Sequence, residues 1–115
     1  MRNSDIKSKA MQVIIKNYKN ARDVRKDNLG YDVKIGKKLI EVKGTESSKA
    51  PLQRIVLSGK KEYNALKNNR SKYWIYRVID TRKQNCRVTE IPARDIFPKR
   101  EARWRVKIMH PEKYY

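Results

Sequence analysis

The sequence is poor in cysteine, histidine and acidic residues. Its 115 residues include one Cys, one His and 12 Asp plus Glu. A lone Cys86 cannot form an internal disulfide, so a disulfide scaffold is excluded. A structural zinc site needs four ligands, and Cys86 and His110 are the only Cys and His in the chain, so a Cys/His zinc site is excluded as well.

Long hydrophobic runs are also absent. Near the N-terminus the longest apolar run is Val13-Ile14-Ile15, whereas a membrane-spanning helix needs about 20 apolar residues. We therefore expect no membrane partner, no secretory signal and a cytoplasmic location.

The charge is strongly positive, because 30 Lys plus Arg outnumber the acids and give a formal net charge of +18. Seven Tyr and two Trp fall in periodic apolar clusters, which is not typical of a disordered basic tail. The length suits one domain over residues 1–115. A polyanion is the expected partner, DNA first, with RNA left open.

The apolar spacing predicts an α/β or α+β domain with a central mixed sheet. Helices are predicted over 4–20 and 58–69, separated by a polar loop at 45–52. Alternating or continuous apolar residues predict strands over 22–26, 31–35, 38–43, 53–57, 73–79, 86–91 and 103–108. A turn at Gly36-Lys37 makes 31–43 a hairpin, with Val33, Ile35, Ile40 and Val42 toward the core.

The hairpin also brings together the candidate chemistry. Period-2 geometry places Glu41 and Lys43 on one face of their strand, and the Gly36 turn returns Asp32 to the same side. Two neighbouring carboxylates suit Mg²⁺ or Mn²⁺, which bind through one or two carboxylates, water and phosphate oxygens. An adjacent ammonium stabilises charge that develops on phosphate. Glu-x-Lys alone says little, since chance gives about two acid-x-Lys triplets and the chain has three.

The surrounding residues are more specific. Asp32, eight intervening residues and Glu41-Val42-Lys43 resemble the PD-(D/E)xK nuclease superfamily, with its restriction-endonuclease-like fold. The stretches 23–32 and 40–45, with Leu57-Ser58, Glu62-Tyr63 and 73–78, are similar to the nuclease-like domain at the C-terminus of the NO VEIN protein. The resemblance implies an αβββαβ core flanked by helices, Asp32 and Glu41 as metal ligands, and Lys43 as a catalytic residue.

Two further points come from the resemblance. Many members place an acid in the first helix, pointing at the metal, whereas residues 6–22 contain no Asp or Glu. Gln53 stands where some members have a polar active-site residue. Small nucleases of this fold often pair to address two strands, so a homodimer is also an expectation.

The last predicted strand offers a candidate nucleic-acid surface. Arg103, Arg105 and Lys107 alternate with Trp104, Val106 and Ile108, which predicts three cations on one side of the strand. Further basic candidates are Lys60, Lys61, Lys99 and Arg100. A face with charge only for solubility is the alternative.

Three functions follow from these observations. The first is a DNA-binding, metal-dependent nuclease that uses Asp32, Glu41 and Lys43. The second is a nucleic-acid-binding module that has the nuclease fold and no catalysis, as the missing helix acid would suggest. The third is a basic structural protein of the ribonucleoprotein type, in which these three residues are ordinary surface charges.

Overall fold

A computed structural model of the chain describes residues 2–48 and 54–114, and Gln53 lies outside them. The two α-helices are α1 (Asn3–Asn17) and α2 (Lys60–Asn68). The strands are β1 (Arg22–Asp23), β2 (Val33–Ile35), β3 (Lys38–Gly44), β4 (Arg54–Val56), β5 (Tyr73–Ile79), β6 (Arg87–Pro92) and β7 (Arg105–Lys107). Short 3₁₀ helices cover Arg25–Asp27, Ala93–Asp95 and Pro111–Tyr114.

A five-stranded mixed sheet has the order β1-β2-β3-β5-β6, and β4 and β7 form a separate antiparallel pair. Strand β3 runs parallel to β5, and the other neighbours are antiparallel. A parallel pair needs a crossover connection, and here the segment containing β4 and α2 provides it. The predicted α/β fold class with a central mixed sheet is confirmed.

One face of the sheet is covered by α1. The helix buries Ala10, Met11 and Ile14 against Val33, Ile40, Val42, Tyr76 and Val78. These are alternate residues of the strands, as period-2 geometry requires. The hairpin residues predicted to face the core therefore do so under α1.

The opposite face is covered by α2 together with the β4–β7 pair. Leu66 of α2 and Val106 of β7 pack in one cluster with Leu39, Ile75 and Ile91 of the sheet. Strand β3 is thus buried on both sides. Glu41 and Lys43 lie on this second covered side, because alternation assigns residues to a face but does not determine what covers that face.

Several elements are shorter than predicted. Helix α1 ends at Asn17, and Asn20 adopts a left-handed φ of 66° in the turn that follows. Strand β2 begins at Val33, so Tyr31 packs in the α2 cluster while Val33 and Ile35 belong to the α1 cluster. Within the two described ranges, no helix combines the length and the apolar character that crossing a membrane requires.

Candidate functional site

The site begins where α1 crosses the end of β3. A Cβ atom added to Gly44 would lie 3.0 Å from Ala10 Cβ and 3.0 Å from Ile6 Cγ2. The absence of a side chain at Gly44 therefore lets the helix approach the strand closely. This approach brings Lys7, which follows Ile6 in the helix, to the edge of β3.

Asp32 lies where β2 separates from β3. The regular pairing ends at Val33 and Ile40, although the Asp32 N–H still donates to Ile40 O at 2.8 Å. Beyond that point the Val42 N–H donates to Asp32 Oδ2 at 2.9 Å. A buried N–H needs an acceptor, and the Asp32 carboxylate supplies it in place of a backbone carbonyl.

The Lys7 ammonium group fills the gap between these groups. Its Nζ donates to Asp32 Oδ2 at 2.5 Å and to Val42 O at 2.5 Å, and lies 3.4 Å from Glu41 Oε2. Burial alone would lower the pKa of Lys7, but the charges of Glu41 and Asp32 raise it above its ordinary value. Lys7 is therefore a cation held by three oxygen atoms.

Glu41 is the most deeply buried acid of the site, with only 2% of its surface exposed. Burial raises its pKa to about 9, and the neighbouring Asp32 adds to the shift while Lys7 and Lys43 oppose it. Glu41 Oε2 lies 3.3 Å from Lys43 Nζ. Burial therefore favours the protonated carboxyl, whereas the two neighbouring ammonium groups favour the carboxylate.

Lys43 is held by an acid from α2. Its Nζ lies 3.1 Å from Glu62 Oε2 and 3.4 Å from Ser58 Oγ. Glu62 also accepts the Ser58 N–H at 2.6 Å. Burial alone would raise the pKa of Glu62, but hydrogen bonds with Glu41 and Ser58 and the charge of Lys43 lower it, so Glu62 is a carboxylate.

The structure thus brings together Asp32, Glu41 and Lys43, the three residues that the sequence singled out. It adds Lys7 and Glu62, which sequence reasoning did not assign to the site. A signal for Lys7 was present: residues 6–22 contain no acid, and Lys7 is a cation in the first two turns of the helix that packs on this hairpin. Glu62 was among the residues that carry the family resemblance, but no role was predicted for it.

Two of the basic candidates lie beside this centre. Lys60 and Lys61, at the start of α2, are exposed and line a cleft that reaches Asp32 and Glu41. A second cavity is lined by Lys43 together with Arg54 and Arg105 among others. Positive side chains therefore line both the cleft at Asp32 and Glu41 and the cavity at Lys43.

The predicted ridge on β7 differs in two respects. Arg103 precedes the strand and has a left-handed φ of 56°, so the alternation does not extend to it. Glu101 lies 3.5 Å from Lys107 and 3.9 Å from Arg105, and it also pairs with Arg54 at 2.9 Å. The predicted alternation therefore holds for Arg105 and Lys107, with Val106 buried between them, and does not extend to Arg103, because Arg103 lies before the strand.

Lys99 and Arg100 lie in the exposed segment before β7. The Arg100 guanidinium is 4.5 Å from the Trp104 ring centroid and 5.8 Å from that of Tyr63. Such stacking is favourable for a guanidinium. Arg100, Trp104 and Tyr63 therefore form an aromatic and basic patch on the same side of the molecule as α2.

The oxygen atoms of the site fit a hard divalent cation, since Asp32 Oδ2, Glu41 Oε2 and Val42 O converge on one position. That position is where Lys7 Nζ lies. In the described part of the chain, no group of three or more His, Cys, Asp and Glu side chains could hold a metal. The candidate metal ligands are the carboxylates of Asp32 and Glu41 and the backbone carbonyl of Val42.

Comparison with known proteins gave one family. The family model described as Protein NO VEIN, C-terminal, matches residues 6–91. The match runs from α1 to β6 and includes Lys7, Asp32, Glu41, Lys43 and Glu62. No curated protein and no solved structure matched the chain.

Proposed function

Because the chain belongs to the family Protein NO VEIN, C-terminal, we propose that it is a nuclease-like protein of the PD-(D/E)xK type. In this proposal it binds DNA and hydrolyses phosphodiester bonds. The observation that supports it most is the convergence of Asp32, Glu41 and Val42 O on one cation, with the Lys43 ammonium 3.3 Å from Glu41. This is a cation position next to a second, separately held positive charge.

The charge distribution supports a nucleic-acid substrate. With a net charge of +18, the chain attracts a phosphate backbone. Lys60 and Lys61, in the cleft at Asp32 and Glu41, would contact phosphates that flank the scissile bond. Arg54 and Arg105, in the cavity at Lys43, would do the same. Such contacts give affinity and position the strand without reading its sequence.

In this proposal Asp32, Glu41 and the Val42 carbonyl would hold Mg²⁺ or Mn²⁺. When bound, the ion would activate water and neutralise charge on the phosphate. Asp32 is already oriented for this, because the Val42 N–H fixes its carboxylate at 2.9 Å.

Lys43 is the residue that we propose stabilises the transition state. A lysine ammonium near a reacting phosphate offsets the negative charge that develops there. Glu62 is a positioning residue in this scheme, since its carboxylate holds Lys43 at 3.1 Å and is itself fixed by the Ser58 N–H. Its removal would loosen Lys43 without removing the charge.

One observation favours a second candidate function, nucleic-acid binding without cleavage. The ammonium of Lys7 already satisfies the three oxygen atoms that would bind the ion. If Lys7 never leaves this position, the protein would bind DNA through the same basic surface and leave it intact.

The test compares wild-type protein, Lys43→Ala and the control Lys72→Ala, which removes an exposed lysine of equal charge. Duplex, branched and single-stranded DNA and RNA are incubated with and without Mn²⁺. We expect Mn²⁺-dependent cleavage by the wild type and the control, reduced about 10²–10³-fold by Lys43→Ala at unchanged DNA affinity. Equal rates for all three proteins, or DNA binding without cleavage of any substrate, would contradict the nuclease proposal.

A further inference from the structure

We infer that Lys7 is an internal cation that occupies the divalent metal position and competes with the metal for it. The inference rests on the proposed function for the identity of that metal. It concerns a residue to which the reaction gives no role. In the free protein Lys7 closes the cation position, and it must leave before the ion binds.

The contacts of Lys7 are those of a bound cation rather than of a surface ion pair. A lysine that served only to pair with Asp32 would need one carboxylate. Lys7 Nζ instead contacts the Val42 backbone carbonyl at 2.5 Å as well as Asp32, with Glu41 at 3.4 Å. An ammonium has three donors, and the three oxygen atoms are those that the proposed metal would use.

The packing of α1 explains why Lys7 reaches this position. Ile6 and Ala10 contact the Gly44 position so closely that a Cβ atom there would be only 3.0 Å away. Ala10 is completely buried. The backbone of Lys7 is therefore fixed next to the strand, and only its flexible side chain is free to move.

The side chain has room to leave. It is 33% exposed, compared with 14% for Asp32 and 2% for Glu41. Lys7 lines a cavity that also borders Asn3, Ser4 and Lys43. The ammonium can therefore move toward solvent by changing side-chain rotamers, without movement of α1.

An ammonium and a divalent ion cannot share the position. Like charges a few ångströms apart repel strongly in a partly buried site. Both would also need the same lone pairs of Asp32 and Val42. Metal binding to the wild type therefore includes the cost of breaking the Lys7 contacts, and the affinity is lower than the oxygen atoms alone would give.

The test is calorimetric titration of Mn²⁺ into the metal-free wild type, Lys7→Gln and the control Lys16→Gln. Lys16 lies on the same helix and is exposed, so the control makes the same change in net charge. We expect Lys7→Gln to bind Mn²⁺ roughly 10–100-fold more tightly than the wild type, the range in which changes around a metal site alter affinity. We expect Lys16→Gln to match the wild type.

Two further variants test whether the gain in Mn²⁺ affinity depends on Asp32 and whether misfolding could explain it. Asp32→Asn in the Lys7→Gln background should abolish the gain, because it removes a carboxylate ligand. Lys7→Ala should reproduce the gain if Gln disturbs the helix, and circular dichroism checks the fold of each variant. Equal Mn²⁺ affinity in the wild type and both Lys7 variants, or no Mn²⁺ binding by any of them, would overturn the inference.

The outcome is separable from that of the proposed function. Tighter Mn²⁺ binding by Lys7→Gln with no cleavage of any substrate would uphold the role of Lys7 and contradict the nuclease proposal. Cleavage by the wild type and by Lys7→Gln with the same Mn²⁺ dependence would uphold the nuclease proposal and contradict the role of Lys7.

Discussion

Replacing Asp32 by Asn should destabilise the metal-free protein, although it relieves the repulsion between two carboxylates. Asp32 accepts hydrogen bonds from Lys7 Nζ at 2.5 Å and from the Val42 N–H at 2.9 Å. Asn retains an oxygen acceptor for the Val42 N–H but loses the charge that holds the ammonium. The net effect depends on how much the Lys7 contact contributes.

The magnitude follows from the burial of the pair. A hydrogen bond to a charged group contributes about 1.5–3 kcal/mol. The Asp32 side chain is 14% exposed and that of Lys7 33%, so solvent screens part of this energy. Glu41 remains near Lys7 as a second partner. We therefore expect a loss of about 1–2 kcal/mol in the free energy of unfolding, or roughly 4–8 °C in Tm.

The assay is urea unfolding followed by circular dichroism in the presence of EDTA. Asp27→Asn is the matched control, because Asp27 is exposed and the change in net charge is the same. A double-mutant cycle with Lys7→Met isolates the pair. In the Lys7→Met background, Asp32→Asn should cost little or stabilise the protein, since only the repulsion between Asp32 and Glu41 is then removed. The same loss of stability from Asp32→Asn in both backgrounds would refute the proposed contribution of the contact between Lys7 and Asp32.

Three more outcomes follow from the structure. Gly44→Ala should lower the free energy of unfolding by about 1–3 kcal/mol, because the added methyl group clashes with Ile6 and Ala10. The control Gly59→Ala should not, because nothing lies within 4 Å of the added Cβ. Equal Tm values for the two variants would count against the close approach of α1. DNA affinity should fall about 10³–10⁵-fold between 50 and 200 mM salt if roughly six to ten phosphates are contacted, and a flat salt dependence would exclude nucleic acid as the main partner. Glu101→Gln should tighten DNA binding a few-fold in a fluorescence titration, because it releases basic side chains from their ion pairs with Glu101. The control Glu112→Gln should have no effect. Unchanged affinity of Glu101→Gln would show that this surface does not contact DNA. The cations that Glu101 pairs are Arg54, Arg105 and Lys107.

The sequence was informative where a signal was local. Strand β5 spans Tyr73–Ile79, as predicted for 73–79. The prediction was possible because an apolar run of this length is typical of a strand buried on both faces. The hairpin was predicted from alternation and from Gly36, whose φ of 56° is the left-handed conformation that a tight turn uses. Together these features were enough to bring Asp32 beside Glu41 and Lys43.

The sequence failed where a residue's environment depends on distant parts of the chain. Alternation placed Glu41 on a polar side of the hairpin, yet α2 and the β4–β7 pair cover that side and leave Glu41 2% exposed. Helical periodicity placed Lys7 outside the apolar stripe of α1, and only the crossing at Gly44 turns it toward Asp32. Neither contact is encoded in the local pattern.

The most direct test of the central claim is a crystal structure of Lys7→Gln grown with Mn²⁺, with the ion located by its anomalous scattering. We expect one anomalous peak between Asp32 Oδ2, Glu41 Oε2 and Val42 O, at the position that Lys7 Nζ holds in the wild type. Oxygen atoms should lie about 2.0–2.3 Å from the ion, as they do around hard divalent cations. An ordered site with no peak there, or a peak only elsewhere on the protein, would contradict the claim that Lys7 occupies the metal position.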